Sequence, residues 1–392
     1  ARHADYVEGR QFKDIQEAGP FAKWEHTHRM IPDGEHSVLH DHVEYELPLG
    51  DLVNSFAAPL SNKQFDQLFA YRHRITKNDL QLHKQYASKP LRLLVTGATG
   101  TIGQALTSFL TTGGHEVLRL TRQTPSDAND IQWDPQSGML DARRLEGLDA
   151  VIHLAGEPIA APAWTERKKQ RIRDSRVDGT ALLARTLASL EKKPAVFVTA
   201  SGVGYYGDTR STMVDETGGP GLGFLAKVAQ DWEAATKPAE EAGIRVVWAR
   251  TGVVLTPAGG ALRAMLPAFK VGLGAQIVDG DVFVSWISLD DVVGAFYHII
   301  HTASIAGPVN LTAPTPVPFS TLAKAIGQAI RRPVFLKIPR QLARRFAPEA
   351  VLETALTSIR ARPGVLTASG YSFLYGSLRD ALVHQLGVSR HV

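Results

Sequence analysis

The sequence predicts an α/β protein: a Rossmann-type, doubly wound parallel sheet with a small C-terminal substrate or cap region, preceded by a separate α+β module. Three observations predict it. Residues 91–103, LRLLVTGATGTIG, run an apolar strand into glycines at 97, 100 and 103 and then into a helical pattern. Beyond them, short apolar runs alternate with helical stretches as far as residue 255, the pattern of parallel strands joined by crossover helices. Ahead of them the chain alternates residue by residue instead, and eight of its 14 histidines lie before residue 90.

Residues 1–88 read as the first domain. FAKWEHTHRM (21–30) and SVLHDHVEYEL (37–47) flank the turn Pro32-Asp33-Gly34, which predicts an antiparallel hairpin. Asn62 to Tyr86 then carries Phe65, Leu68, Phe69, Ile75 and Leu82 at largely helical spacing, so one long helix presents an apolar face. A curved sheet folded on that helix would leave a cavity, and an apolar ligand is the expected occupant. The order, with GPFAKWEHTH, DHVEYELPLG and LFAYRHRI, resembles the C-terminal half of the SRPBCC or polyketide-cyclase-like ligand-binding domains. That resemblance implies a partial helix-grip module, and because the chain opens without methionine, residues are expected upstream. His26 and His28, like His40 and His42, sit two apart on one strand face, a spacing that a metal can use. No acidic or cysteine ligand cluster accompanies them in the sequence, so no metal is assigned.

A boundary falls at Ser88-Lys89-Pro90, and the second domain, 89–392, opens on the glycine turn. A dinucleotide pyrophosphate must approach bare backbone N–H groups at a helix N-terminus, where side chains would block it. Gly97 suits the tight turn, Gly100 the close approach and Gly103 the packing of helix on strand. The next strand, His115 to Thr121, ends at Arg122, where an NAD-selective site places a carboxylate for the ribose 2′-hydroxyl. Arg122, helped by Arg119, can pair with a 2′-phosphate, so NADP is the expected cofactor and NAD the alternative; a plain surface arginine is the other reading.

The alternation continues through GLDAVIHLA (147–155), a basic helix to Arg176, AVFVTAS (195–201), a helix at 226–241 and a strand from Ile244 to Leu255. TGATGTIG, WDP, HLAGEPIA, IRDSRVDGT, TASGVGYYGD, ARTGVVL, GGALRAML and FVSWISLDDVV follow one another in an order that resembles the extended short-chain dehydrogenase/reductase superfamily. Within it the match is to the epimerase-like SulA, or SDR39U1-like, family, over roughly residues 90–385. The resemblance implies that Gly97, Thr99, Gly100, Thr101, Ile102 and Gly103 cradle the pyrophosphate and that Arg122 meets the adenosine phosphate. It implies further that Leu154, Ala155 and Gly156 lie along the cofactor and that Arg250 ends the strand beside the nicotinamide. Trp286, Asp290 and Asp291 fall in the motif leading to the C-terminal region, where the aspartates either cap a helix or meet substrate. The cap itself is expected at about residues 330–392.

Short-chain dehydrogenases pair a Ser or Thr with Tyr-x-x-x-Lys. Here that place reads Phe224-Leu225-Ala226-Lys227-Val228: no tyrosine, and a lysine one residue short of the spacing, about 60° off the shared helix face. Ser201 stands at the end of its strand, where it could hydrogen-bond a substrate oxygen, and Tyr205 and Tyr206 offer phenols in place of the missing tyrosine, for catalysis or for lining the pocket.

Composition bounds the remaining functions. With 44% hydrophobic and 21% charged residues, the 392-residue chain has the make-up of a globular protein. It has no cysteine, hence no disulfide, and no signal-peptide pattern or long apolar run, so a cytoplasmic protein with no membrane partner is expected. A net charge of only +4, with dispersed basic residues, does not imply nucleic acid. The expected partner is a small-molecule substrate of nucleotide-sugar type, and self-association stays open. Two functions follow: an NADP(H)-dependent oxidoreductase or epimerase-like enzyme with a degenerate Tyr/Lys site, or a non-catalytic NADP(H)-binding protein coupling cofactor state to ligand or partner binding.

Overall fold

In the computed structural model the first strands form an antiparallel meander, β1 (Arg2–Val7), β2 (Gln11–Ile15), β3 (Lys23–Asp33) and β4 (His36–Glu46), in that spatial order. The expected hairpin is β3–β4; its register pairs Asp33 with His36, and Gly34 turns the chain at φ +58°. β1 and β2, which alternate less cleanly, escaped the sequence reading. A helix, α1 (Gly50–Gln85), follows. Phe21, just before β3, and Trp24 and Tyr45 of the sheet gather on Phe65 of α1, their ring centroids 4.7 to 5.9 Å from that of Phe65. The structure describes residues 1–48, 50–86, 89–160, 163–278, 280 and 282–388.

Two compact units result, Ala1–His73 and Arg74–Val392, so the division falls inside α1. The reason is packing: Leu82 and Tyr86, on the last turns of α1, belong to the hydrophobic core of the second unit.

That second unit is built on β5 (Arg92–Thr96), α2 (Thr101–Thr112), β6 (Glu116–Thr121), β7 (Asp130–Asp134), β8 (Met139–Leu140) and β9 (Ala150–His153). It continues through α3 (Glu166–Ser189), β10 (Val196–Gly202), α4 (Phe224–Ala234), α5 (Lys237–Glu241) and β11 (Arg245–Thr251). After β12 (Val253–Leu255), α6 (Gly260–Lys270), β13 (Ala275–Val278), β14 (Phe283–Val284), β15 (Trp286–Ser288) and α7 (Leu289–His301), strand β16 (Gly307–Leu311) completes the sheet. The strand order is β16-β11-β10-β9-β5-β6-β7-β8. All neighbours are parallel except β7 and β8, which are too close in sequence for a crossover and turn back as a hairpin through Gly138 at φ +75°.

Both faces of this sheet are covered, which explains its near-continuous apolar strands. Leu93, Val95, Ile152, Val198 and Val247 face α2 and α7, while Leu94, Val151, Phe197 and Val246 share a second core with Leu183 and Leu187 of α3. The chain leaves β5 toward β6 and β7, then returns to its other side at β9. Ligands bind at such a reversal, outside the carboxyl ends of the strands.

The C-terminal region adds β17 (Val317–Pro318), α8 (Phe319–Ala329), β18 (Leu336–Pro339), α9 (Arg340–Phe346), α10 (Glu349–Ala355), α11 (Gly364–Ala368) and α12 (Leu378–Gln385). It is assembled from two stretches of chain, because β13 pairs with β18 and β14 with β17, and α6, α8 and α12 share one core.

Candidate active site

At the strand reversal, Gly97 turns with φ +68°, and a Cβ there would stand 2.9 Å from the backbone of Leu154 and Ala155. Side chains are therefore excluded where β5 meets the loop after β9. A Cβ on Gly103 would overlap the Gly97 carbonyl, so α2 can pack this closely on the turn only with glycine there. α2 starts at Thr101 from an N-cap, Gly100, whose place offers no side-chain acceptor to the first-turn N–H groups. Thr99 and Gly100 are exposed, Thr101 and Ile102 half-buried and Gly103 buried. This turn, with its uncapped N–H groups and its missing side chains, fits a dinucleotide pyrophosphate.

Thr96 joins the two sides of the reversal. Its hydroxyl oxygen accepts from the N–H groups of Leu154 and Ala155, each at 3.1 Å, and it shares a hydrogen bond with His153 Nδ1 at 2.6 Å. Burial, with Arg176 nearby, pushes the His153 pKa down to about 3, so its imidazole is neutral. Arg176 of α3 fixes the next stretch of the loop by donating to the Glu157 carbonyl at 2.9 Å, and a Cβ on Gly156 would press within 3.1 Å of its guanidinium carbon. Leu154, Ala155 and Gly156 thus form a rigid wall opposite the glycine turn.

Arg122 is exposed just past β6. Arg119, expected beside it, instead pairs with Asp130 at 2.8 Å and Asp127 at 3.4 Å.

The remaining candidates meet in one buried network. Ser201 donates to Glu233 Oε1 at 2.7 Å, and Arg250 clamps both oxygens of Glu233, each at 2.8 Å. Arg250 Nη1 also donates to the Tyr206 hydroxyl at 3.0 Å, which passes its own proton to Asn310 Oδ1 at 2.8 Å. Burial works against the Arg250 charge, but the Glu233 carboxylate outweighs it and the pKa is raised. For Tyr206, burial raises the pKa and the Arg250 contact offsets only part of that. The Tyr205 ring lies over the Arg250 guanidinium at 3.4 Å, and among the described residues its hydroxyl meets no hydrogen-bond partner. Lys227 is turned outward on α4, pairing with Asp231 at 2.8 Å. The N-terminus of that helix is capped by Glu353 of α10, which accepts from the N–H groups of Phe224 and Leu225.

Comparison with known proteins fits this geometry. Residues 93–311 match the model of the NAD dependent epimerase/dehydratase family. An epimerase family protein of Mycobacterium bovis is 43% identical over 288 residues, 74% of this chain and 95% of that protein. The chain belongs to the NAD-dependent epimerase/dehydratase family. Among solved structures, a nucleoside-diphosphate sugar epimerase from Corynebacterium glutamicum superposes on this family member with TM-score 0.79 and 32% identity, over 98% of this chain and 76% of that one. The human epimerase family protein SDR39U1, solved with NADPH, gives TM-score 0.68 and 31% identity, over 75% and 98%. The family match begins after the N-terminal sheet, whose SRPBCC likeness it does not address.

In this epimerase-family chain the sequence reading missed Thr96, Glu233 and Asn310, which carry most of the site's polar wiring. It also missed Gly259, the N-cap of α6, where a Cβ would overlap the Thr101 hydroxyl, so a second helix N-terminus abuts the glycine turn. The GGALRAML motif was the available signal. Asp291 serves as a junction, accepting from Ser288 at 2.7 Å and from the N–H groups of Leu374 and Tyr375 at 2.7 and 3.0 Å; Asp290 accepts from His384 and Gln385. Trp286 is fully buried and donates to the Thr315 carbonyl.

Proposed function

We propose that this chain is an NADP(H)-dependent oxidoreductase of epimerase type, acting on a small substrate of the nucleotide-sugar class. The observation that carries the reading is the cleft at the strand reversal: a glycine turn closed against Leu154 and Ala155, with Arg122 rather than a carboxylate beyond β6. The Corynebacterium and human relatives, by what they are called and bound to, support the substrate class and the cofactor. Bound there, the nicotinamide would supply hydride exchange. We assign proton exchange with substrate oxygen to Tyr205, a reading supported by the commitment of the Ser201 and Tyr206 hydroxyls inside the protein.

Fluorescence titration with NADPH and NADH tests the reading. NADPH should bind at least about tenfold tighter, and Arg122→Ala should remove that preference, as expected from losing a charge-assisted hydrogen bond of about 1.5–3 kcal/mol. Equal affinities, or a variant that keeps the preference, would refute the 2′-phosphate role.

The absence of a Tyr/Lys pair from α4 favours a second reading, a protein that binds NADP(H) without turning over substrate. Assays against a panel of nucleotide sugars and carbonyl compounds separate the two: turnover with any of them excludes the second.

A further inference from the structure

The N-terminal sheet carries a polar group unrelated to the dinucleotide cleft. Strand register places His3 of β1 opposite Asp14 of β2, Asp14 opposite His26 of β3, and His28 of β3 opposite Asp41 of β4. With side chains alternating along each strand, all five lie on one face. α1 covers that face with Phe69, whose ring is edge-on to His26, and with Arg72 and His73. His28 and His26 are only 1% and 5% exposed, and their ring centroids stand 3.8 Å apart.

Burying two imidazoles beside two carboxylates is costly unless each polar atom is matched. Asp41 Oδ1 holds one nitrogen of each ring, 2.8 Å from His26 Nε2 and 2.9 Å from His28 Nδ1. Its other oxygen takes His73 Nε2 at 2.7 Å. On the far side of His28, Nε2 lies 3.1 Å from Asp14 Oδ2. Asp14 Oδ1 is buried with no hydrogen bond of sound geometry among the described residues, although His3 Nδ1 is 2.6 Å away.

Asp14, His26 and His28 each offer one ligating atom within 4.8 Å of the others, and atoms bound to one ion at about 2.0–2.2 Å fall within that spread. Charge points the same way. Asp14 and Asp41 bring two negative charges, and Arg72, 3.1 Å from His28 Nδ1 and 3.8 Å from Asp41, brings one positive charge. Counting the carboxylates against the guanidinium leaves one surplus negative charge, which a bound cation offsets.

We propose that Asp14, His26 and His28 bind a divalent first-row transition metal, with Asp41 as the carboxylate that orients both imidazoles. Two imidazoles and a carboxylate suit zinc and its neighbours, and a carboxylate behind each ligating histidine is the usual support for such ions. His3 stands exposed at the rim beside Asp14, which marks the side of entry.

The test uses the full chain, stripped with EDTA, desalted and titrated with Zn²⁺ against a chromophoric chelator. About one equivalent should bind, with Asp14→Asn weakening it at least about tenfold and His28→Ala at least as much. The double variant His40→Ala/His42→Ala, whose residues are exposed on the other face, should bind like the parent. Circular dichroism shows whether each variant is folded, and the half-buried Asp14→Asn, which keeps the size of the side chain, decides the matter if His28→Ala unfolds. Co²⁺ in place of Zn²⁺ should give a visible band that Asp14→Asn loses. No zinc uptake by the stripped parent, undiminished uptake by folded Asp14→Asn, or a loss confined to the His40/His42 variant would each overturn the proposal.

Discussion

Tyr205 and Tyr206 are adjacent in sequence but have different surroundings, and two Tyr→Phe substitutions separate their roles. Tyr206→Phe strips a partner from both Arg250 and Asn310 inside the protein, so it should lower stability by about 1–3 kcal/mol, read as a shift in the urea midpoint. Tyr205→Phe removes a hydroxyl that has no partner among the described residues. It should leave stability within about 0.5 kcal/mol and abolish turnover at unchanged NADPH affinity. Full activity in Tyr205→Phe would remove that residue from the chemistry. The sequence could not separate the two phenols, because what distinguishes them is Arg250, some forty residues on, and Asn310 on the last strand of the sheet. Glu233 was illegible for the same reason: on α4 it reads as one more polar residue, and only the parallel pairing of β10 with β11 brings Ser201 and Arg250 together beside it.

At the scale of the element, β9 and the loop after it depend on an imidazole that stays neutral. An ordinary histidine titrates near 6.5, and His153 in the fold near 3. Between those values the unfolded chain takes up a proton that the folded chain refuses, so this contribution is complete above about pH 6.5 and is lost as pH falls toward 3. The slope reaches at most about 1.4 kcal/mol per pH unit. Urea midpoints at pH 7 and pH 5 should show it, with a smaller drop for His153→Asn; equal drops would mean that other groups carry the acid sensitivity. The glycine turn and the alternation of strands and helices were legible because each is a local pattern tied to a local geometry. The histidines of β3 were legible as a pair, but the aspartates that meet them lie on β2 and β4, and antiparallel register, not sequence spacing, brings them together.

For the whole molecule, a ligand that binds only the folded state raises stability by mass action. NADPH at about 100 times its dissociation constant should add about 2.7 kcal/mol, seen as a higher Tm, and NADH at the same concentration should add less. No shift with either would contradict dinucleotide binding. Among the described residues no helix is long and apolar enough to cross a membrane. The short hairpin partner β8 has a consequence for the behaviour of many copies together. A parallel sheet ending at β7 would present a row of unpaired N–H and C=O groups, a template on which another chain could extend. β8 covers the Trp133–Asp134 end of that row with Met139 and Leu140, too short a ledge for a stranger's strand to register on. Two residues folded back at the rim therefore shorten the edge left open to edge-to-edge aggregation, and variants that unpick this hairpin should precipitate more readily than the parent.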